Sequence, residues 1–227
     1  MRRRTFLTTA AGSGLAASAG CLGSVGAVLG DGSQHTVLGK PETQPTRSAN
    51  LPYPAYGEKL PDATLPAAIA DRTVSVGDLE TAVVMTFFYS HCNTVCPFLI
   101  SSMRKVQTNA IEGGYGDQVT FLPVTFDPAR DDAERLREYA EMMNVDLDAG
   151  NWYFLRPDDH EHAKEVVEER YGVTFEKTGA TDSSMYMYNH LGLLLVVNAE
   201  GYVERAYTGD DPKGTRVWSA LETVLQA

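Results

Sequence analysis

The sequence predicts a mixed α/β domain on three observations: a near-continuous apolar, β-rich run at residues 81–89, helical spacing from Pro97 to a stop at Gly113 and Gly114, and further strand and helix signals alternating to the C-terminus. With 227 residues, 43% hydrophobic and 22% charged, the chain can build one sizeable core. The formal net charge is −11, and subtracting Arg2, Arg3 and Arg4 would take it to −14. So acidic a chain is not suited to nucleic acid. Six lysines stand against thirteen arginines, a balance similar to that of proteins kept soluble in strong salt.

The elements follow in order. Arg3, Arg4, Thr5, Phe6 and Leu7 form the R-R-x-F-L core of a twin-arginine export signal. Ser18, Ala19, Gly20 and Cys21 are similar to a lipobox, in which Cys21 would be lipidated and become the mature N-terminus, although Ser18 stands where a large aliphatic residue is usual. The alternative is an uncut span, since no charge occurs from Thr5 to Gly30. Both readings place the protein on the outer face of the cytoplasmic membrane. Residues 1–21 are thus read as the export signal, 22–60 as a Pro-, Gly- and Thr-rich tether, and 61–227 as the folded domain.

Within that domain Thr73–Val76 reads as a short strand and Thr81–Tyr89 as a central strand buried on both faces. A helix is expected from Pro97 to about Glu112, a strand over Gln118–Phe126, and a helix with (i, i+4) charge pairs over Asp131–Asn144. Trp152–Leu155 reads as a short strand and Asp158–Tyr171 as a helix opening on acidic residues. Met185–Asn189 and Leu193–Asn198 read as two paired runs, an added late β-hairpin, and Pro212–Leu225 as a closing helix.

The chemistry sits where the buried strand meets the first long helix, in Tyr89-Ser90-His91-Cys92-Asn93-Thr94-Val95-Cys96-Pro97. Pro97 suits a first helical turn and so places Cys96 at a helix N-terminus, where backbone amides lower a thiol pKa. A thiolate is both a nucleophile and a soft metal ligand. With Cys21 committed to lipid, Cys92 and Cys96 are an isolated pair with too few partners for a closed zinc site. A plain disulfide is the bland alternative, but closing so short a loop removes little chain entropy.

A third ligand would be a histidine. His35 lies in the tether, and His160 and His162 sit in an acidic run read as a solvated helix start. His91 adjoins Cys92, so its ring points away from the same ion and is expected behind the ligands instead. His190 follows a strand-like run and precedes an apolar one, which puts it in a turn at the core's edge, as a ligand or as a satisfied structural histidine. Strand parity sets Met185 and Met187 on the face opposite Tyr186, Tyr188 and His190, packed in the core.

Three segments, F-F-Y-S-H-C-N-T-V-C-P, V-T-F-D-P-A-R-D-D and N-H-L-G-L-L-L-V-V-N-A-E-G, resemble in order and spacing the Sco/SenC family of copper-delivery proteins, over roughly residues 60–227. The resemblance implies a thioredoxin-like fold with a central mixed sheet flanked by helices, and a copper ion, Cu(I) or Cu(II), held by Cys92, Cys96 and His190. Asp127, Pro128 and Asp131 match the middle motif, and Asp127 is expected to orient a ligand from behind. The chain departs from the family pattern at Asn189, where Asp is usual, and at Asn93 and Thr94, where Pro and Asp are commoner.

The implied function is a metallochaperone that hands copper to a copper-accepting oxidase subunit or other cupredoxin-type acceptor, foremost the binuclear site of a terminal cytochrome oxidase. Two rival classes use the same residues. One is a thiol-disulfide oxidoreductase with Cys92 and Cys96 as its redox pair, although their spacing of three differs from the two of a thioredoxin motif. The other is a copper or redox sensor.

Overall fold

Seven consecutive buried residues, Ala82–Phe88 (β3), organise the fold. The computed structural model describes residues 34–42, 44, 46–178, 186–209 and 212–227. β3 is interior to a four-stranded sheet, pairing in parallel with Val119–Thr125 (β4) and antiparallel with Leu193–Val197 (β7), which pairs in turn with Val203–Thr208 (β8). A parallel pair needs a crossover, and Cys96–Glu112 (α1) provides it. The polar side chain inside β3, Thr86, donates its hydroxyl to the Leu193 carbonyl at 2.7 Å, so its burial leaves no unmet hydrogen bond.

Gly214–Leu225 (α4) lies beside α1 against the sheet, touching β3 and β7. Adjacent residues of β3 face opposite ways. Phe87 accordingly meets Tyr171, while Phe88 meets Phe154 and also Tyr139 of Ala133–Met142 (α2). The sheet is therefore covered on both sides, as its uninterrupted apolar strands require.

Several sequence expectations need correction. Three strands carry too weak an alternation to read: Thr64–Ala67 (β1), which pairs with Arg72–Ser75 (β2), Phe175–Thr178 (β5), and β8 with Glu204 and Arg205 at its centre. The expected pairing of residues 185–189 with 193–198 is wrong. Met187–His190 (β6) pairs with β5, and the late hairpin is β7 with β8. Trp152–Leu155 forms only isolated bridges, two of them along the edge of β4. The helix expected over 158–171 is a short α-helical turn, His160–Ala163 (α3), capped by Asp159 and continued by π-helical winding through Arg170.

The free tether expected over 22–60 is also corrected in its described part. Ala55, Tyr56 and Leu60 are buried. Residues 57–60 run along 201–203, with hydrogen bonds from the Gly57 amide to the Val203 carbonyl and from the Leu60 amide to the Gly201 carbonyl, both 2.8 Å. The Glu204 carboxylate, fully buried, accepts the Val37 and Leu38 amides at 2.8 and 2.9 Å and the Asn198 side-chain amide at 2.7 Å. Gly172 has φ +67°, and a Cβ there would lie 1.5 Å from the Pro52 carbonyl oxygen. Prolines erase periodicity in this segment, but its backbone groups still find fixed partners. The twin-arginine residues and Cys21 lie outside the described residues, among which no helix is long and apolar enough to cross a membrane.

Candidate metal centre

The loop between β3 and α1 carries both cysteines. The Cys92 amide donates to the Tyr89 carbonyl at 3.2 Å, closing a turn directly after the strand. α1 then starts at Cys96, with Pro97 in its first turn. The Cys96 amide points back at Cys92 Sγ from 3.4 Å, and Thr94 Oγ1 lies 3.4 Å from the same sulfur. The helix terminus thus acts on Cys92, a correction to the expectation that it would activate Cys96. Hydrogen bonding from Cys96 and Thr94 holds the Cys92 thiol far below its usual range, and burial pushes the Cys96 thiol up.

His190 arrives from the other side of the sequence at the end of β6. Its Nδ1 lies 3.1 Å from the Leu191 carbonyl oxygen. A carbonyl only accepts, so Nδ1 carries the proton and Nε2 keeps a bare lone pair. That Nε2 is 3.4 Å from Cys96 Sγ. The ring is held by Phe126, centroids 5.0 Å apart, and edge-on by Tyr89 at 6.1 Å. The ligand atoms of Cys92, Cys96 and His190 all lie within 4.8 Å of one another. Both sulfurs are buried and the imidazole is half-buried. Two sulfurs and one imidazole nitrogen make a soft, low-coordinate donor set, suited to a thiophilic ion such as copper and short of the four ligands of a structural zinc site.

The remaining expected residues lie elsewhere. Asp127 is buried, but it accepts hydrogen bonds from Arg130, from the Tyr186 hydroxyl at 2.7 Å and from the Tyr188 hydroxyl at 3.4 Å, and meets none of the three ligand residues. It holds Tyr186, just before β6, and Tyr188, two residues ahead of His190, with Arg130 and Lys177 on the Tyr186 ring at 3.6 and 4.1 Å. His91 is turned toward Ser90, its Nδ1 3.1 Å from the hydroxyl, and does not back a ligand. Asn189 is exposed opposite Glu176.

Met187 follows the expected parity, but the buried face of β6 is that of Tyr188. Met187 is half-buried, with the Tyr89 hydroxyl 3.7 Å from its sulfur, and Met185 lies outside the described residues. His35 stacks on Tyr202 at 4.3 Å, and His162 caps its own helix start by accepting the Asp158 amide at 3.2 Å. Sequence reasoning assigned no role to Phe126, Tyr89 or the Leu191 carbonyl. The two rings come from residues far from His190 in the chain and reach it through core packing, while the Leu191 carbonyl is supplied by the neighbouring residue.

A sequence profile described as SCO1/SenC matches residues 70–226. A comparison with curated proteins returns no significant match. Among solved structures, the copper-bound ScoI of Arabidopsis thaliana superposes with a TM-score of 0.60 at 19% identity, covering 75% of this chain and 100% of that one. Yeast Sco1 gives 0.60 at 18% identity, covering 74% and 98%. BsSco, described as a disulfide-switch member of the Sco family of cytochrome c oxidase assembly proteins, gives 0.58 at 18%, covering 77% and 96%. At these identities the likeness is one of fold, the thioredoxin-like fold expected of residues 61–227. With its profile match running across more than half its length, the chain belongs to the SCO1/SenC family.

Proposed function

We propose that this protein carries copper on Cys92, Cys96 and His190 and delivers it to a membrane copper enzyme, the binuclear site of a terminal cytochrome oxidase being the foremost acceptor. The observation that carries this reading is the convergence of two buried sulfurs and a bare imidazole nitrogen within 4.8 Å. Support for the acceptor comes from the family and from the description of BsSco as a cytochrome c oxidase assembly protein.

The geometry suits a carrier better than a permanent site. Two thiolates suffice for Cu(I), and the imidazole extends the set to Cu(II). The asymmetry of the thiols orders the steps: Cys92, already a thiolate, takes the ion first, and Cys96 must lose its proton to complete the pair. Release reverses this order, as acceptor ligands replace one sulfur at a time. Joining the two sulfurs in a disulfide by exchange with a partner's disulfide, which takes up the two electrons and two protons as it is reduced to a dithiol, would remove both ligands together.

The N-terminal signal supports export by the twin-arginine route and anchoring on the outer membrane face through lipid on Cys21. The comparisons favour neither the thiol-disulfide oxidoreductase nor the sensor. Loading the purified protein with one copper and mixing it with an apo oxidase copper fragment tests delivery. Stoichiometric transfer, lost in His190→Ala while dithiol exchange survives, is expected. Stable retention of the metal would contradict delivery.

A further inference from the structure

We propose that Asp131 is a positioning residue for the metal loop, setting the place of Cys92 through Ser90. This rests on the reading of Cys92, Cys96 and His190 as the ligands. Asp131 is fully buried just ahead of α2, and its carboxylate takes the Ser90 amide at 3.1 Å, the Ser90 hydroxyl at 2.5 Å and the Thr125 hydroxyl. Arg135 of α2 completes the grip, with Nε 2.9 Å from Ser90 Oγ and a terminal nitrogen 3.1 Å from the Ser90 carbonyl. Amide, carbonyl and hydroxyl of Ser90 are therefore all held by two side chains from the start of α2.

Ser90 lies two residues past the end of β3, inside the turn that the Cys92 amide closes on the Tyr89 carbonyl. Rotation about Ser90 would swing Cys92 Sγ away from the Cys96 amide. A buried carboxylate is a costly way to fill space, since an apolar side chain would do so without desolvating a charge. Its three acceptor contacts, joining the end of β4 at Thr125 to the loop after β3 at Ser90, give that burial a geometric use. Partners bonded directly to a ligand typically tune a metal site about 10–100-fold in affinity, and Asp131, which acts one residue further out through Ser90, belongs at the low end of that range.

The test compares wild type, Asp131→Ala, Asp131→Asn and Leu221→Ala, the last a buried α4 position that serves as a control for plain destabilisation. Copper affinity and the sulfur-to-copper absorption band are measured on purified protein, with the iodoacetamide alkylation rate of Cys92 measured in the metal-free form. Asp131→Ala should weaken copper binding about tenfold, displace the band and alter the alkylation rate of Cys92. Asp131→Asn keeps an acceptor oxygen for the Ser90 amide and should restore most of each, while Leu221→Ala should lower only the melting temperature. Wild-type affinity, band and alkylation in Asp131→Ala, or equal changes in Leu221→Ala, would overturn the proposal. A wild type that binds no copper would defeat the ligand reading instead, and the alkylation rates would still decide the role of Asp131.

Discussion

The backbone amide of Cys96 lies 3.4 Å from the sulfur of Cys92, so the start of α1 serves the cysteine outside the helix and not the one that begins it. Cys96, sealed in the core, remains a thiol until something draws its proton away. This division makes one sulfur the point of first contact and the other the lock.

Metal-free, reduced protein should therefore alkylate at Cys92 first. An unperturbed thiol loses reactivity tenfold per pH unit below about pH 8.5. Cys92 should hold its rate well below that pH, and Cys92→Ser should leave only slow modification of Cys96. Mass spectrometry of modified peptides checks this, and Cys96 reacting first would contradict the assignment.

The segment before residue 61 should prove part of the folded unit. Removing residues up to 60 takes the Val37 and Leu38 amides from the buried Glu204 and uncovers the surfaces that Ala55 and Tyr56 fill. Urea unfolding should show a loss of at least about 3 kcal/mol relative to a chain beginning at residue 34. Equal stability of the two would mean that the segment is a tether after all.

Asp131 gives a pH signature. Burial raises its carboxyl from 3.8 to about 6 despite the hydroxyls of Ser90 and Thr125. The folded state then holds a proton that the unfolded state has lost between those values, so this group's contribution is fully present below pH 3.8 and is lost as pH rises through 6. The difference in unfolding free energy between wild type and Asp131→Asn should fall by about 3 kcal/mol from pH 3.8 to 7. A flat difference would show that the carboxyl is not perturbed.

Much of this was legible in the sequence because burial wrote it there. β3 is apolar at six of seven positions, and the α1 boundaries carry Pro97 and Gly113 as markers. β5 and β8 were not legible, since Glu176, Lys177, Glu204 and Arg205 break their alternation, and the buried Glu204 is satisfied by the Val37 and Leu38 amides far away in sequence. The same limit applied at the site. Cys92 and Cys96 announced themselves by local spacing, whereas the seat of the His190 ring depends on Phe126 and Tyr89, both far from it in sequence. Asp127 was misplaced because its position at a strand end fits a residue backing a ligand as well as one tying Tyr186 and Tyr188.

The most direct measurement is copper stoichiometry and absorption spectrum of the purified, reduced protein as wild type, Cys92→Ser/Cys96→Ser and His190→Ala. The three-ligand site predicts one tightly held copper with a sulfur-to-copper charge-transfer band, abolished in the double cysteine variant. In His190→Ala, Cu(I) should still bind while the Cu(II) band is displaced and weakened. No copper on the wild type, together with efficient disulfide exchange, would contradict the account and make Cys92 and Cys96 the redox pair of a thiol oxidoreductase.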